Sequence, residues 1–282
     1  MHSASALERF GRVLCAPVYQ PVVGFTRPQA NPFSGLLSDG AGNFWGTTYN
    51  GGASAGGTVF KVNSTTGVLT TVIEFDDNTN KGKQPIGGLV SDGAGNFWGT
   101  TWLGGANNDG TVFKINVSTG VLTTVVEFTG NGAANKGAGP TAGLVSDGMG
   151  NLWSVTNFGG ASNDGTVFKI NITTGVLTTV AVFDNNITKG KSPFGALVDD
   201  GAGTCWGTTE VGGANGSGTV FKINANTGML ITVVQFTGTN GTLPDAPLVS
   251  DGAGSRVNLE YRSIVAQAAT ERGTPEIASS VV

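Results

Sequence analysis

The sequence predicts an all-β fold, a β-propeller of four-stranded antiparallel blades. Three observations carry this. A long motif recurs every 53 to 55 residues, marked by Trp45, Trp98, Trp153 and Trp206. Each copy holds short runs rich in Val, Thr, Phe and Ile, bounded by Gly and Asn turn signals. Glycine reaches 47 of 282 residues while charged residues make up only 12%, a balance of strands and tight turns rather than helices. One such sheet cannot hide both apolar faces, so neighbouring copies must stack on it. A β-solenoid is the competing architecture, but its coils are shorter and lack hairpin turns at these positions.

The copy from Gly88 to Phe128 shows the elements in order. Strand a is read as GLVSD. The turn D-G-A-G-N follows, whose glycines permit the positive φ of a tight hairpin. Strand b is NFWGTT, followed by a GG-containing loop and strand c, GTVFKIN. A turn of the form N-x-x-T-G, with Gly at the left-handed position, leads to strand d, VLTTVVEF. Phe60, Phe113, Phe168 and Phe221 keep the same beat in strand c. The turn aspartates Asp39, Asp92, Asp147 and Asp200 keep it too, and Asp251 adds a fifth.

Residues 1–16 match nothing else in the chain and are expected to be an unstructured N-terminal segment. Residues 17–262 are expected to form a single propeller domain. Its full repeats run from about 32–84, 85–139, 140–192 and 193–246. A partial fifth begins at Pro247 with PLVSDGAG, while Val18 to Phe25 resembles a lone strand d. Together 247–262 and 17–31 are expected to make one blade shared by both termini, closing a ring of five. Residues 263–282 form a divergent tail.

The balance of charges excludes some classes. A net charge of −4 offers no basic surface, so no nucleic-acid partner is expected. No run approaches the length of a membrane helix, so no membrane span is expected. The N-terminus makes a poor signal peptide because Glu8, Arg9 and Arg12 interrupt its apolar core. Of two cysteines, Cys205 takes the place of Phe44, Phe97 and Leu152 in other copies and reads as a small core residue. The single histidine, His2, leaves no usual general base and few metal ligands. No cofactor, metal or catalytic residue is therefore expected, and a monomer is.

The motif D-G-A-G-N-F-W-G-T-T, then G-G-A-x-x-x-G-T-V-F-K-I-N, then T-G-V-L-T resembles the GloVer tandem repeat of bacterial choice-of-anchor tandem-repeat proteins. The resemblance covers roughly residues 18–254. It implies a propeller-like protein, exported or surface-attached, and brings no catalytic residues with it. Ser154-Val155 departs from the Gly-Thr that follows tryptophan in the other copies.

The repeated residues have mostly structural readings. D-G-A-G-N offers one carboxylate and one amide, too few oxygens for a calcium loop, so the aspartate is expected to accept from turn amides. The tryptophans are expected to wedge between sheets rather than form a stacking platform. Lys61, Lys114, Lys169 and Lys222 are expected to snorkel along the blade edge rather than form a basic ring. Six N-x-[ST] sequons occur, and those at Asn63, Asn116 and Asn171 recur with the c–d turn, so turn chemistry explains them first.

Function is expected on the rim where copies differ, because variable loops on a rigid scaffold carry it. Just after strand b stand Tyr49, Trp102, Asn157 and Glu210. Two aromatics, an amide and a carboxylate suit a carbohydrate or other small polar ligand; a protein ligand is the other partner considered. The d–a loops add Asp76, Asp77, Lys81, Lys83, Lys136, Asp184, Lys189 and Lys191. These features predict a non-enzymatic extracellular or cell-surface binding or scaffold propeller. A hydrolase or lyase using Glu210 and a rim aspartate is one alternative, and a structural part of a larger surface protein is another.

Overall fold

The computed structural model describes residues 31–32, 34–76, 81–184, 188–250 and 257–258. In the first blade β1 (Leu37–Ser38), β2 (Asn43–Thr48), β3 (Thr58–Asn63) and β4 (Leu69–Glu74) pair in sequence order. The second repeats this with β5 (Val90–Ser91), β6 (Asn96–Thr101), β7 (Thr111–Asn116) and β8 (Leu122–Glu127). The third has β9 (Val145–Ser146), β10 (Asn151–Thr156), β11 (Thr166–Asn171) and β12 (Leu177–Val182). The fourth holds β13 (Lys191–Pro193), β14 (Val198–Asp199), β15 (Thr204–Val211), β16 (Thr219–Asn224) and β17 (Leu230–Gln235). Here β13 and β14 both pair with β15. A two-stranded sheet, β18 (Val249–Ser250) with β19 (Val257–Asn258), follows. The expected shared blade also needs residues 17–30, which lie outside the described residues, as do 1–16 and 263–282.

Strand a is shorter than the expected GLVSD, only two residues in each of the first four copies. Its first half meets the neighbouring blade instead of its own ladder. A Cβ on Gly87 would stand 2.7 Å from the Ala142 carbonyl oxygen, and one on Gly195 the same distance from that of Ala246. Thr100 Oγ1 donates to the Ala142 carbonyl at 3.1 Å, and Thr47 Oγ1 to that of Gly87 at 3.3 Å. Pro85, Pro140 and Pro193 each pack against the loop glycine of the preceding copy. Pro244 does so for Gly218, so the prolines keep register at Pro244, three residues ahead of Pro247.

The core lies between blades, as stacking requires. Trp45, Val59 and Phe75 of the first blade meet Phe97, Phe113 and Ile115 of the second. Trp98, Val112 and Phe128 meet Leu144, Leu152, Phe168 and Ile170. Trp153, Val167 and Phe183 meet Leu197, Cys205, Phe221 and Ile223. Each of these three seams has a phenylalanine pair, 75 with 113, 128 with 168, and 183 with 221, at 5.2 to 5.3 Å between centroids. Such pairs contribute about 0.5–1.5 kcal/mol beyond their buried area. Cys205 is buried and free, with its thiol pushed up to about 12 by burial and then by nearby aspartates.

A β-bulge between strands c and d recurs in all four blades. It leaves Val72, Val125, Val180 and Val233 without a register partner and re-aims them. The first three lie against the c–d turn glycine of the next blade. A Cβ on Gly120, Gly175 or Gly228 would come within 3.2, 2.9 or 3.0 Å of these valines.

Candidate functional site

The constant motifs are fully used in building blades. Asp147 Oδ1 accepts from the amides of Met149 and Asn151 at 2.8 and 3.0 Å. Its Oδ2 accepts from Asn151 Nδ2 at 2.8 Å and from the Trp153 indole N–H at 3.0 Å. Asp39 and Asp92 repeat all four contacts. Partial burial pushes Asp39 upward, but these hydrogen bonds outweigh it and lower its pKa from 3.8 to about 2. The aspartate is thus a turn acceptor whose oxygens are engaged by four donors. Trp45, Trp98 and Trp153 are fully buried wedges, as expected. The lysines do something more specific than snorkel. Cross-strand register sets Lys61, Lys114, Lys169 and Lys222 opposite the tryptophans, with Nζ 5.2 to 5.7 Å from the indole centroid. Asn63 Oδ1 likewise accepts from Thr65 and Thr66 amides, the turn role anticipated for the sequon asparagines.

The variable rim is held by main-chain bonds. The amides of Tyr49, Trp102 and Asn157 donate to the carbonyls of Asn31, Gln84 and Gly139 at 2.8, 3.0 and 3.0 Å. Bridges Lys83 to Leu103 and Ala138 to Phe158 follow directly. In the fourth blade the same pairing is a full strand contact, Lys191 with Val211 and Pro193 with Thr209, so Glu210 lies inside β15 rather than after it. The four side chains continue the tryptophan-bearing face of strand b, because residues two apart share a face.

The structure brings Tyr49 and Trp102 into ring contact, with centroids 6.3 Å apart and planes tilted by 35°. The Trp102 indole lies over Gly139: its Nε1 is 2.7 Å from where a Cβ would stand there. Phe158 reaches the same point from the next blade, at 3.4 Å. Only a glycine fits between them, and its φ of +60° suits it. Tyr49, Trp102 and Phe158 therefore form an arc of aromatics spanning three blades, with Phe158 41% exposed. Asn157 is 6% exposed and its Nδ2 has no hydrogen-bond partner; neither has Gln84 Oε1. Glu210 is half-buried one blade further along, and no hydrogen bond joins it to the other three.

Sequence reasoning missed Gln84, Gly139 and Phe158. All three take their place from pairing between the d–a loop and the end of strand b, which no single-strand pattern reveals. Among the charged loop residues, Lys189 pairs with Asp184 at 2.8 Å, and Asp77 lies outside the described residues. Burial raises the carboxyl of Asp109, on the loop after β6, from its ordinary value. Among the described residues no group of three His, Cys, Asp or Glu could hold a metal ion. No helix among them is long and apolar enough to cross a membrane.

Stacked four-stranded antiparallel sheets joined by hairpins, with a variable rim at one end, define a β-propeller-type repeat protein. Residues 19–138 and 130–258 match the Gloeobacter/Verrucomicrobia repeat, and the chain belongs to that family. No protein of curated function matches the sequence. Among solved structures it is similar to the extracellular domain of a one-component system from B. thetaiotaomicron, at 15% identity and a TM-score of 0.56. That match covers 82% of this chain and 26% of the other. A puromycin-hydrolyzing peptidase from Mycobacterium tuberculosis matches at 12% identity and a TM-score of 0.51, over 77% and 30% of the two chains. TolB from Acinetobacter baumannii matches at 12% identity and a TM-score of 0.47, over 76% and 45%. The chain thus spans less than half the length of each of these three.

Proposed function

We propose that this chain is a non-enzymatic binding propeller of an extracellular or cell-surface repeat protein, and that its ligand is a carbohydrate. One observation carries the reading: the aromatic arc of Tyr49, Trp102 and Phe158 is joined through main-chain bonds to Gln84 and Asn157, each with a buried amide atom whose hydrogen-bonding capacity is unused. Flat apolar faces of a sugar stack on aromatic rings, while its hydroxyls both donate and accept. Asn157 Nδ2 would donate to such a hydroxyl and Gln84 Oε1 would accept from one. Rim position supports the reading too, since aromatics together with a few polar groups are the ordinary lining of a small-ligand site. The family match and an extracellular domain among the structural neighbours support the location.

The test is a glycan array followed by calorimetry on any hit. Trp102→Ala and Asn157→Ala should each weaken binding at least tenfold, while Lys114→Ala, far from the rim, should leave it unchanged. Binding that survives Trp102→Ala, or no hit on a broad array, would refute the site. A hydrolase reading has one observation in its favour, the raised Asp109 carboxyl on the same rim. Turnover of glycosides that is lost in Asp109→Asn would replace the binding reading.

A further inference from the structure

Each d–a loop holds one left-handed residue just before its proline, fixed in the same way from blade to blade. These residues are Gln84, Gly139, Ser192 and Leu243, with φ of +57°, +60°, +55° and +54°. Their amides donate to the b–c loop of the preceding copy, at Gly56, Asp109, Asp164 and Ser217, over 2.6 to 3.0 Å. On the other side, the carbonyls of Gln84 and Gly139 accept from Trp102 and Asn157, and Ser192 stands opposite Glu210. Gly139 shows where a side chain at this position goes. A Cβ there would meet the Trp102 indole of the preceding blade and Phe158 of the following one. Matching φ and matching main-chain bonds send the Cβ of Gln84, Ser192 and Leu243 into the equivalent gaps. Along the rim, d–a side chains therefore alternate with the strand-b side chains.

Three of these four positions are not glycine, and that costs the fold. A left-handed backbone strains most side chains other than Asn and Asp. Among the described residues, left-handed positions outside this series hold Gly or Asn, apart from Ala55. Gln84 adds a second cost, a buried Oε1 with no hydrogen-bond partner. Leu243 adds another, a large apolar side chain 47% exposed. Glycine would relieve all of these, as Gly139 does in the same frame. Strain kept where the backbone does not need it points to what the side chains present.

Resting on the reading of this rim as a carbohydrate site, we propose that Gln84, Ser192 and Leu243 are specificity-determining contacts and that the ligand is a linear oligosaccharide laid across blades, not a single sugar. Tyr49 and Trp102 are equivalent residues of neighbouring blades, and their planes are tilted by 35°. One flat sugar face lies on one ring or the other, whereas two linked units can take one each. The unused acceptor, Gln84 Oε1, belongs to the loop entering the second blade, and the unused donor, Asn157 Nδ2, to strand b of the third. In the order of the repeats Trp102 lies between them, so a ligand that engages both runs past its ring. Differing d–a side chains in successive blades then select differing substituents along the chain.

Calorimetry on the full chain with β-1,4-linked glucan, xylan, mannan and chitin oligomers of one to six units tests this. In the series that binds, a four-unit oligomer should bind at least tenfold more tightly than its monosaccharide. Gln84→Gly and Leu243→Gly should each weaken binding at least tenfold or change which series is preferred. Neither should lower the melting temperature, because glycine suits the left-handed backbone. Loss of binding together with a lower melting temperature would make the two residues structural and overturn the proposal. So would a monosaccharide that binds as well as its oligomers. Binding that is lost in Trp102→Ala but indifferent to both glycine variants would overturn the d–a contacts while leaving the rim a carbohydrate site. No binding in any series would bring down that reading and the proposal with it.

Discussion

One carboxylate gathers each a–b turn. Asp39, Asp92 and Asp147 hold two main-chain amides, an asparagine amide and an indole N–H, tying the hairpin to the tryptophan that fills the seam. Asp147→Asn would place an amide donor among four donors. The expected cost is about 1–3 kcal/mol, read as a melting temperature several degrees lower. These carboxylates are depressed when folded, Asp39 to about 2 against 3.8. Their contribution is therefore complete above about pH 4 and is lost as pH falls toward 2. Thermal melts from pH 6 to pH 2 should show stability falling through that window, with Asp39→Asn falling less steeply. The role of these aspartates was readable from spacing alone, since D-G-x-G-N places a carboxylate beside free turn amides. The lysine over the indole was not. It depends on the cross-strand register of Trp45 with Lys61, which only the b–c loop geometry sets.

That loop is the most constrained element of the blade. Gly165 has φ +99°, and a Cβ there would meet the Thr156 carbonyl oxygen at 2.4 Å and Pro193 Cδ at 2.7 Å. Gly148, in the a–b turn, has φ +67° and open space around it. Gly148→Ala should cost about 1 kcal/mol, the ordinary penalty of a left-handed residue. Gly165→Ala adds a backbone collision and should lower the denaturation midpoint by clearly more. Equal midpoints for the two variants would contradict the close approach. Strands b, c and d were legible because each is a six-residue stretch rich in Val, Thr, Phe or Ile bounded by Gly and Asn turn signals. Strand a was misread in length because its first half serves the neighbouring blade. The d–a loops were legible only as variable. Their pairing with Leu103, Phe158 and Val211 is tertiary and leaves no periodic trace.

At the scale of the molecule, stability resides in seams, so the same residue type is worth different amounts along the array. Phe128 stacks on Phe168, whereas Phe236, also buried, has no ring partner among the described residues. Phe128→Ala should cost about 3–5 kcal/mol, and Phe236→Ala markedly less, by urea denaturation. Hydrogen exchange should show the same gradient, with β17 amides opening before those of β8 and β12. Cys205 reports on this directly. Buried in the third seam with its thiol held up to about 12, it should resist alkylation in the native state and react once blades three and four part. The stacking of blades was clear from the 53- to 55-residue period. The phenylalanine pairs across the three seams were not, because they depend on how strand d of one blade meets strand c of the next.

The rim residues are anchored by their own amides, and this has a practical corollary. Tyr49, Trp102 and Asn157 are fixed by the backbone to carbonyls of the adjoining loop, whatever side chain they carry. An aromatic, an amide and, in β15, an acid already occupy equivalent sites on one framework. The rim therefore resembles a set of sockets, in which the backbone of one is held whatever it contains, while neighbouring contents such as Tyr49 and Trp102 touch. Randomising these four positions together, with the D-G-x-G-N and T-V-F-K words left untouched, would give a library of binding surfaces on a single unchanged scaffold.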